Sequence, residues 1–438
     1  MNPVRIALAA ALACAFAAPA LAADLLNIYR DALVSDPTYQ GARAQYEATR
    51  EKLPQARAGY LPLVAGAASA FRNEVKIDGI PTQNYNTSTY AVTLTQPVFR
   101  AQNWIAITQA DYLVIQGQAT LSNAQEDVGV RAAQAYFDVL LAQDNVALSE
   151  AQKVAISEQL AQAKRNFEVG TSTIVDTLEA QARYDQAVAK EISDQNDLEV
   201  KKRALQVLLG KLPESLTPLR EPLVLADPKP NNIEEWVGVG TDSSPSVIAA
   251  RANLDFTQQE ISRQRAGHLP TLDVSGNYTH TNNPANSIPG VAGAGADTGS
   301  IGLVLSVPIF SGGIIQSRVR EAVALRDKAQ QDLENTQRTV AQSVRQQYLN
   351  VTSGIAQVKA LEQALTSTQS QLDSTILGRD VGVRTSVDVL NAQQQVFQTR
   401  RDLQQARYNY LLSTLRLKAA AGLLTEDSIA DVNRALGH

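Results

Sequence analysis

The strongest constraint on this chain is an internal duplication with a period of about 210 residues. The motif Arg-Ala-Gly-Tyr-Leu-Pro, from Arg57 to Pro62, returns from Arg265 to Pro270 as Arg-Ala-Gly-His-Leu-Pro. Other landmarks recur in the same order, namely Pro97-Val98-Phe99 as Pro308-Ile309-Phe310, Gln134-Ala135-Tyr136 as Gln346-Gln347-Tyr348, and Val169-Gly170 as Val381-Gly382. Matched landmarks in one order indicate a tandem duplication, so the two copies are expected to share one layout.

Each copy predicts the same order of elements: a short helix, two strands, a very long helix, a turn and a second helix. The first copy spans 23–222, with strands at 61–72 and 87–99, a long helix at 100–168 and a return helix at 173–209. The second spans 244–422, with strands at 271–281 and 299–310, a long helix at 312–380 and a return helix at 385–420. Residues 223–243 and 423–438 remain as a linker and a C-terminal segment, which we expect to form an equatorial belt beside the helices.

The long helices carry a coiled-coil pattern. Between Phe99 and Val169 the sequence has no proline, which predicts one helix of about 65 residues, or about 100 Å at 1.5 Å per residue. In the second copy apolar residues keep strict heptad spacing at Val344, Val351, Val358, Leu365 and Leu372. The seam of the first copy is similar but is interrupted by Lys153. Heptads of this length predict supercoiled helix packing rather than a globular core.

The predicted strands alternate between apolar and small or polar residues. In the second copy Leu272, Val274 and Tyr278 alternate with Asp273, Ser275 and Asn277. This period of two predicts a sheet with one apolar face. The polar stretches 73–86 and 282–299 between the paired strands are predicted to be exposed loops. Because proline disfavours the helical conformation in the residue before it, prolines are expected to separate helix from strand at all four junctions, at Pro62, Pro97, Pro270 and Pro308.

The apolar face of this sheet needs a cover, and no other helix is placed to supply one. Strands of about ten residues span a bilayer when tilted. An open four-stranded sheet cannot lie in lipid, since its edge N–H and C=O groups would be unsatisfied. Closure therefore requires several copies of the chain, and three copies give a twelve-stranded barrel that leaves a pore. The predicted fold class is an α+β membrane protein with four strands and long antiparallel coiled-coil helices in each chain.

The N-terminus predicts export. Arg5 precedes an apolar run from Ile6 to Ala18, and the small residues up to Ala22 suit cleavage of a signal peptide, residues 1–22. The sole cysteine, Cys14, lies in that segment, so we expect no disulfide or thiolate chemistry in the mature chain. A net charge of −5 argues against nucleic-acid binding.

The sequence gives little support for an enzyme. The three histidines, His268, His280 and His438, form no helical metal motif, and no nucleophile elbow occurs. We therefore expect no catalytic residue, no metal site and no cofactor.

The chain resembles the TolC-type outer-membrane efflux and secretion proteins over essentially its whole mature length. The resemblance rests on the duplicated Gly-Tyr/His-Leu-Pro and Pro-Val/Ile-Phe motifs, the two Val-Gly hairpins, and Arg407-Tyr408-Asn409-Tyr410-Leu411 with Gly422. It implies a homotrimer in which an outer-membrane β-barrel continues into a twelve-helix periplasmic tunnel. It also implies two partners, a periplasmic adaptor that would contact the hairpin turns, and an inner-membrane transporter of the RND or ABC type.

The two hairpin turns are candidate functional elements. Gly170 and Gly382 suit the left-handed conformation that ends a helix. Thr173 and Thr385 each lie three residues before an aspartate, Asp176 and Asp388, which is a capping-box arrangement. Capping by itself would account for both aspartates.

The resemblance implies a second role for these turns. In the family the position of Asp388 belongs to an acidic ring at the pore constriction, and the positions of Asp176 and Arg384 form a link that holds neighbouring coiled coils shut. This sequence departs twice, because Asn391 replaces the second acid of the ring and Arg379 replaces a tyrosine that helps to hold the closed state. A ring of three carboxylates rather than six predicts weaker block by cations.

A soluble periplasmic coiled-coil adaptor or scaffold is the alternative interpretation. It shares export, heptads and a helical hairpin with the channel. It predicts one hairpin rather than two, and it gives no reason for alternating strands in both copies. The sequence does not distinguish efflux of small molecules from secretion of a polypeptide.

Overall fold

The computed structural model describes residues 23–282 and 295–436. The predicted signal peptide and most of the predicted second loop lie outside the described residues. The helices of the described part are α1 (Leu25–Ser35), α2 (Pro37–Arg50), α3 (Lys52–Ala58), α4 (Ala101–Glu168), α5 (Ile174–Leu209), α6 (Ile233–Ser243), α7 (Pro245–Arg265), α8 (Ile314–Asp380), α9 (Ser386–Ala420) and α10 (Glu426–Asn433). The strands are β1 (Leu63–Ile77), β2 (Ile80–Phe99), β3 (Thr271–Asn282) and β4 (Gly295–Ser306).

The four strands form one antiparallel sheet in the order β1-β2-β3-β4. The register places Leu94 opposite Gly276 and Gly276 opposite Ile301, so the apolar positions of neighbouring strands share one face. That face carries Val64, Tyr90, Val92, Leu94, Leu272, Val274, Tyr278, Ile301, Leu303 and Leu305. The opposite face is mainly small and hydroxyl-bearing, with Ser69, Thr87, Thr89, Thr93, Thr95, Ser275, Thr279, Thr298 and Ser300. The predicted alternation is confirmed.

The prediction that residues 73–86 form an exposed loop is wrong. Residues 73–86 continue the strands, with β1 and β2 paired up to Ile77 and Ile80 around a turn at Gly79, whose φ is +82°. Asn73 and Thr87 join the two strands through a side-chain hydrogen bond of 2.8 Å. A hairpin exposed on both faces needs no apolar side, so the polar residues of this stretch indicate exposure and not loss of pairing.

Proline alters two strands relative to the prediction. β4 ends at Ser306 rather than at 310, since Pro308 has no N–H to continue the ladder. Ile309 and Phe310 therefore lie beyond the strand and are 95% and 88% exposed. Pro97 lies inside β2 and not at its boundary, and the register shifts between Pro97 and Phe99, as expected of a bulge.

The long helices α4 and α8 are uninterrupted, and their ends fall within about two residues of the predicted ones. In the second copy Val344, Val351 and Val358 of the predicted seam are buried, while Leu365 and Leu372 are half-buried. In the first copy Ala132 and Val139 are buried, but Phe167 at the end of the seam is exposed. None of the described helices holds a stretch apolar enough to cross a membrane.

The chain divides into two compact units. The sheet unit comprises Ala44–Thr120 and Ile248–Thr336. The hairpin unit comprises residues 23–43, 121–247 and 337–436, and contains both turns between long and return helices.

The hairpin unit has its own apolar core, in which side chains of α1, α4, α5, α9 and α10 are buried together. Its largest fully buried residues include Tyr136, Leu205, Leu415, Ile28 and Ile429. The linker and the C-terminal segment contribute the short helices α6 and α10, whose Trp236 and Val432 are buried in the same core. Gly422 lies where these elements meet: its φ is +72°, and a Cβ there would be 2.6 Å from the carbonyl oxygen of Ser243. Only glycine fits this position without strain.

Candidate functional site

The two turns of the hairpin unit have the same construction. Gly170 and Gly382 adopt φ values of +77° and +80°, in the left-handed region. The next residue of each turn donates its backbone N–H back to the helix, Thr171 to the oxygen of Asn166 and Val383 to the oxygen of Gly378, both at 2.8 Å. These bonds satisfy carbonyls that the end of a helix otherwise leaves unpaired. The duplication therefore repeats one turn geometry at two positions.

Both capping boxes predicted from the sequence are present. The hydroxyl of Thr173 accepts the N–H of Asp176 at 3.3 Å, and an oxygen of Asp176 accepts the N–H of Thr173 at 2.9 Å. Thr385 and Asp388 repeat these contacts at 3.2 and 2.9 Å. The backbone N–H and the hydroxyl of Thr385, together with the positive charge of Arg384, lower the pKa of Asp388. Asp388 thus carries a negative charge at neutral pH while it caps α9.

The predicted link between Asp176 and Arg384 is not formed inside one chain, as far as the described residues extend. Asp176 is engaged by its own cap. The backbone N–H of Arg384 donates to the oxygen of Gly378 at 3.0 Å, and the Arg384 side chain packs so closely on Gly378 that a Cβ there would be 2.8 Å from its Cγ. The two residues lie on different hairpins and hold separate partners.

Arg379 joins the two long helices of the chain. Its guanidinium donates to the carboxylate of the adjacent Asp380 at 2.8 Å. It also reaches the amide oxygens of Gln159 and Gln162 on α4, at 3.5 and 3.4 Å. The position that departs from the family pattern is therefore occupied by a cation that ties α8 to α4.

Asn391 is held by a residue that the sequence analysis missed. Arg183 on α5 donates from Nη2 to the Oδ1 of Asn391 and from Nη1 to the Oε1 of Gln394, both at 3.0 Å. Both acceptors lie on α9, so this fork joins the return helices of the two copies. A signal existed in the sequence: Arg183 lies three residues after Ala180 and four before Ala187, and so shares their face of α5.

The helices pack closely behind this fork. Ala180 and Ala187 of α5 form a buried cluster with Ile156, Leu160 and Ala163 of α4, and Leu390 of α9 inserts among them. Small side chains allow the helix backbones to approach, which fixes α9 against α4 and α5. A cavity of about 210 Å³ opens beside the cluster, lined by residues that include Gln152, Arg183, Lys190, Gln394 and Arg401.

A second set of charges lies farther along the same helices. Lys153, which interrupts the predicted heptad seam, pairs with the buried Glu191 of α5 at 2.5 Å, and this hydrogen bond raises the pKa of Lys153. Asp194 of α5 is paired with Lys190, and Arg401 of α9 approaches it to 3.8 Å. Lys153, the polar residue in the seam, thus forms an ion pair that joins α4 to α5.

In the sheet unit the junction of strand and helix is held by an ion pair that the sequence did not indicate. Arg100 donates from Nε and Nη2 to the two oxygens of Asp273, at 2.9 and 2.8 Å. Tyr60 donates its hydroxyl to the carbonyl oxygen of Arg100 at 3.1 Å. Pro62 and Pro270 precede β1 and β3, as the sequence predicted. Residues from both copies therefore fix the base of the sheet.

Comparisons of sequence and of structure with known proteins all point to outer-membrane efflux and secretion proteins. A family model described as outer membrane efflux protein matches residues 28–211 and 241–423, one match for each copy. The chain is 33% identical over 415 residues to the outer membrane protein TolC of Vibrio cholerae serotype O1, covering 95% of this chain and 94% of that protein. It is 30% identical over 416 residues to the alkaline protease secretion protein AprF of Pseudomonas aeruginosa, covering 93% and 86%. The crystal structure of the outer membrane protein VceC of Vibrio cholerae is similar in fold, with a TM-score of 0.76 over 91% of this chain and 96% of that chain, at 20% identity.

Proposed function

The chain belongs to the outer membrane efflux protein family and is an outer-membrane channel of the efflux and secretion class, and we propose that it forms a homotrimeric, gated exit duct. The duct passively conducts substrates from the periplasm, or from an inner-membrane pump, to the exterior.

The sheet carries the proposal. Its apolar face is uncovered in the single chain, with Ile301 and Leu303 79% and 69% exposed. Its outer strands β1 and β4 each have one neighbour within the described residues, so each presents an open row of N–H and C=O groups. In lipid those rows must be paired. Pairing β4 of one copy with β1 of the next satisfies them, turns the apolar face to lipid and lines the lumen with hydroxyl groups.

We infer that the hairpin turns contact a periplasmic adaptor, which connects the duct to an RND or ABC transporter. Support comes from the apolar side chains exposed beside Gly170 and Gly382, with Val169 72% and Val383 77% exposed. Solvent-facing apolar groups at two equivalent turns suit a protein contact. The helical hairpins then serve as the docking end of the channel.

We also infer that the hairpins form the gate. Asp388 and Asn391 lie at the constriction, where three copies of Asp388 attract cations and repel anions. Because Asp176 and Arg384 hold separate partners within one chain, their link would join neighbouring chains of the trimer. Opening would then require the hairpins of adjacent subunits to separate.

The channel is tested by reconstituting purified protein into planar bilayers. Detergent-extracted, heat-modifiable trimers that give stepwise conductance are the expected result. Buffer-soluble monomers without conductance would contradict the duct and favour a soluble adaptor or scaffold.

The gate is tested by the double variant Asp176→Ala with Arg384→Ala. We expect a higher single-channel conductance, because the link between neighbouring hairpins is lost. Arg203→Gln, an exposed arginine of α5 that pairs with Glu199 of its own helix, is the matched control. Unchanged conductance of intact trimers would reject this pair as the gate link.

A further inference from the structure

We propose that Arg183 is a latch of the closed channel, which acts through Asn391 and Gln394 to hold the two hairpins of each chain together. This inference rests on the proposed function and adds to it a positioning residue inside the subunit. The link through Asp176 and Arg384 acts between subunits, whereas Arg183 acts within one. Its role follows from the geometry of α5 and α9.

The guanidinium of Arg183 holds two acceptors on the opposing helix at the same time. Nη2 lies 3.0 Å from the Oδ1 of Asn391, and Nη1 lies 3.0 Å from the Oε1 of Gln394. The acceptors are three residues apart on α9, so they lie on one face and about one turn apart. A planar guanidinium fits such a pair, and a hydrogen bond with a charged donor is stronger than one between neutral groups.

We infer that opening also separates α9 from α5 within each chain, and the latch spans that contact. Leu390, the neighbour of Asn391, inserts into the cluster that contains Ala180 and Ala187 of α5. Moving α9 away from α5 would withdraw Leu390 and break both bonds of Arg183 in one step. The fork therefore resists separation of α9 from α5.

Arg183 also has a partner for the released state. Glu179, one turn earlier on α5, lies 3.7 Å from its Nη2. Because this pair is within one helix, it persists when α9 moves away. The charge is then not left unpaired after opening, so the latch can be released at moderate cost.

The first test is Arg183→Gln in planar bilayers, with Arg203→Gln as the control. Loss of two bonds from a charged donor is expected to raise the ratio of open to closed channel by about tenfold. The control is expected to leave it unchanged, because the hydrogen bond of Arg203 to Gln206 and its ion pair with Glu199 both lie within α5. Intact trimers of Arg183→Gln with the open fraction of the wild type would overturn the proposal.

The second test is Asn391→Asp, which adds a carboxylate 3.0 Å from the guanidinium. If Arg183 acts as a latch, Asn391→Asp strengthens its hold on α9 and lowers the fraction of open channels. This decrease should disappear when Arg183→Gln is also present. A ring that acts only through its charge predicts stronger block by cations in both backgrounds, and that result would also overturn the proposal. If the wild-type protein formed no channel, the duct itself would be rejected, so the two failures are distinguishable.

Discussion

At the scale of single residues, Glu126 of α4 has a strongly shifted pKa and lies away from the hairpins. Burial raises its pKa to about 7, against the opposing effect of a hydrogen bond from the backbone of Leu424. The ordinary value is 4.5. Between these two pH values the unfolded chain releases the proton while the folded chain retains it. The contribution of Glu126 to stability therefore falls as the pH rises from about 4.5 to about 7, and stays low above that.

Glu126→Gln should remove this pH dependence, since glutamine can accept the same N–H from Leu424 without a charge. We expect the variant to be more stable than the wild type by about 2 kcal/mol at pH 8, allowing for solvent screening, with no advantage below about pH 4.5. Thermal unfolding at a series of pH values measures this difference. Glu150→Gln, at an exposed glutamate of the same helix, is the control. An advantage that is constant with pH would contradict the titration.

Single residues also mark the limit of what the sequence predicts. The capping boxes of Asp176 and Asp388 were predictable because cap and partner lie three residues apart on the chain. Arg183 with Asn391, and Arg100 with Asp273, are separated by 208 and 173 positions. Such pairs depend on how helices and strands pack in register, which no local pattern specifies. Of the proposed gate residues, the sequence therefore predicted the caps and not the latch.

At the scale of elements, the capping role of Asp388 can be tested through its partner Thr385. Thr385→Ala should loosen the first turn at a cost of about 1 kcal/mol, because the N-cap oxygen is lost. It should also let the pKa of Asp388 rise, since the Thr385 hydroxyl no longer donates to the carboxylate. Hydrogen exchange of the first amides of α9 measures the loosening, and Thr385→Ser is the control that keeps the hydroxyl. Unchanged exchange in Thr385→Ala would show that the box contributes nothing to the helix.

Helices were predicted better than strands for a physical reason. The ends of α4 and α8 follow from backbone chemistry, since glycine ends both helices at equivalent turns. Strand ends depend on pairing with a neighbour. β1 and β2 continue through residues 73–86 because they pair with each other, and the polar composition of that stretch gave no sign of this.

At the scale of the whole molecule, the proposal requires the two faces of the sheet to meet different surroundings. Ile301→Lys puts a charge on the apolar face, and it should cost about 2 to 4 kcal/mol if that position lies near the middle of a bilayer. Ser300→Lys puts the same charge on the neighbouring residue of the opposite face and should be tolerated. The measurement is the fraction of each variant recovered from outer membranes as heat-modifiable trimers. Equal recovery would contradict the orientation of the sheet.

The open borders of the sheet have a consequence for the life of the protein before assembly. A single copy displays, within the described residues, two strands with an unpaired edge, β1 and β4, together with an uncovered apolar surface. Such borders adhere to any extended chain and not only to their intended partners. In the proposed trimer each copy is protected only after it meets two others, so synthesis that outpaces this encounter would yield aggregate in place of channels.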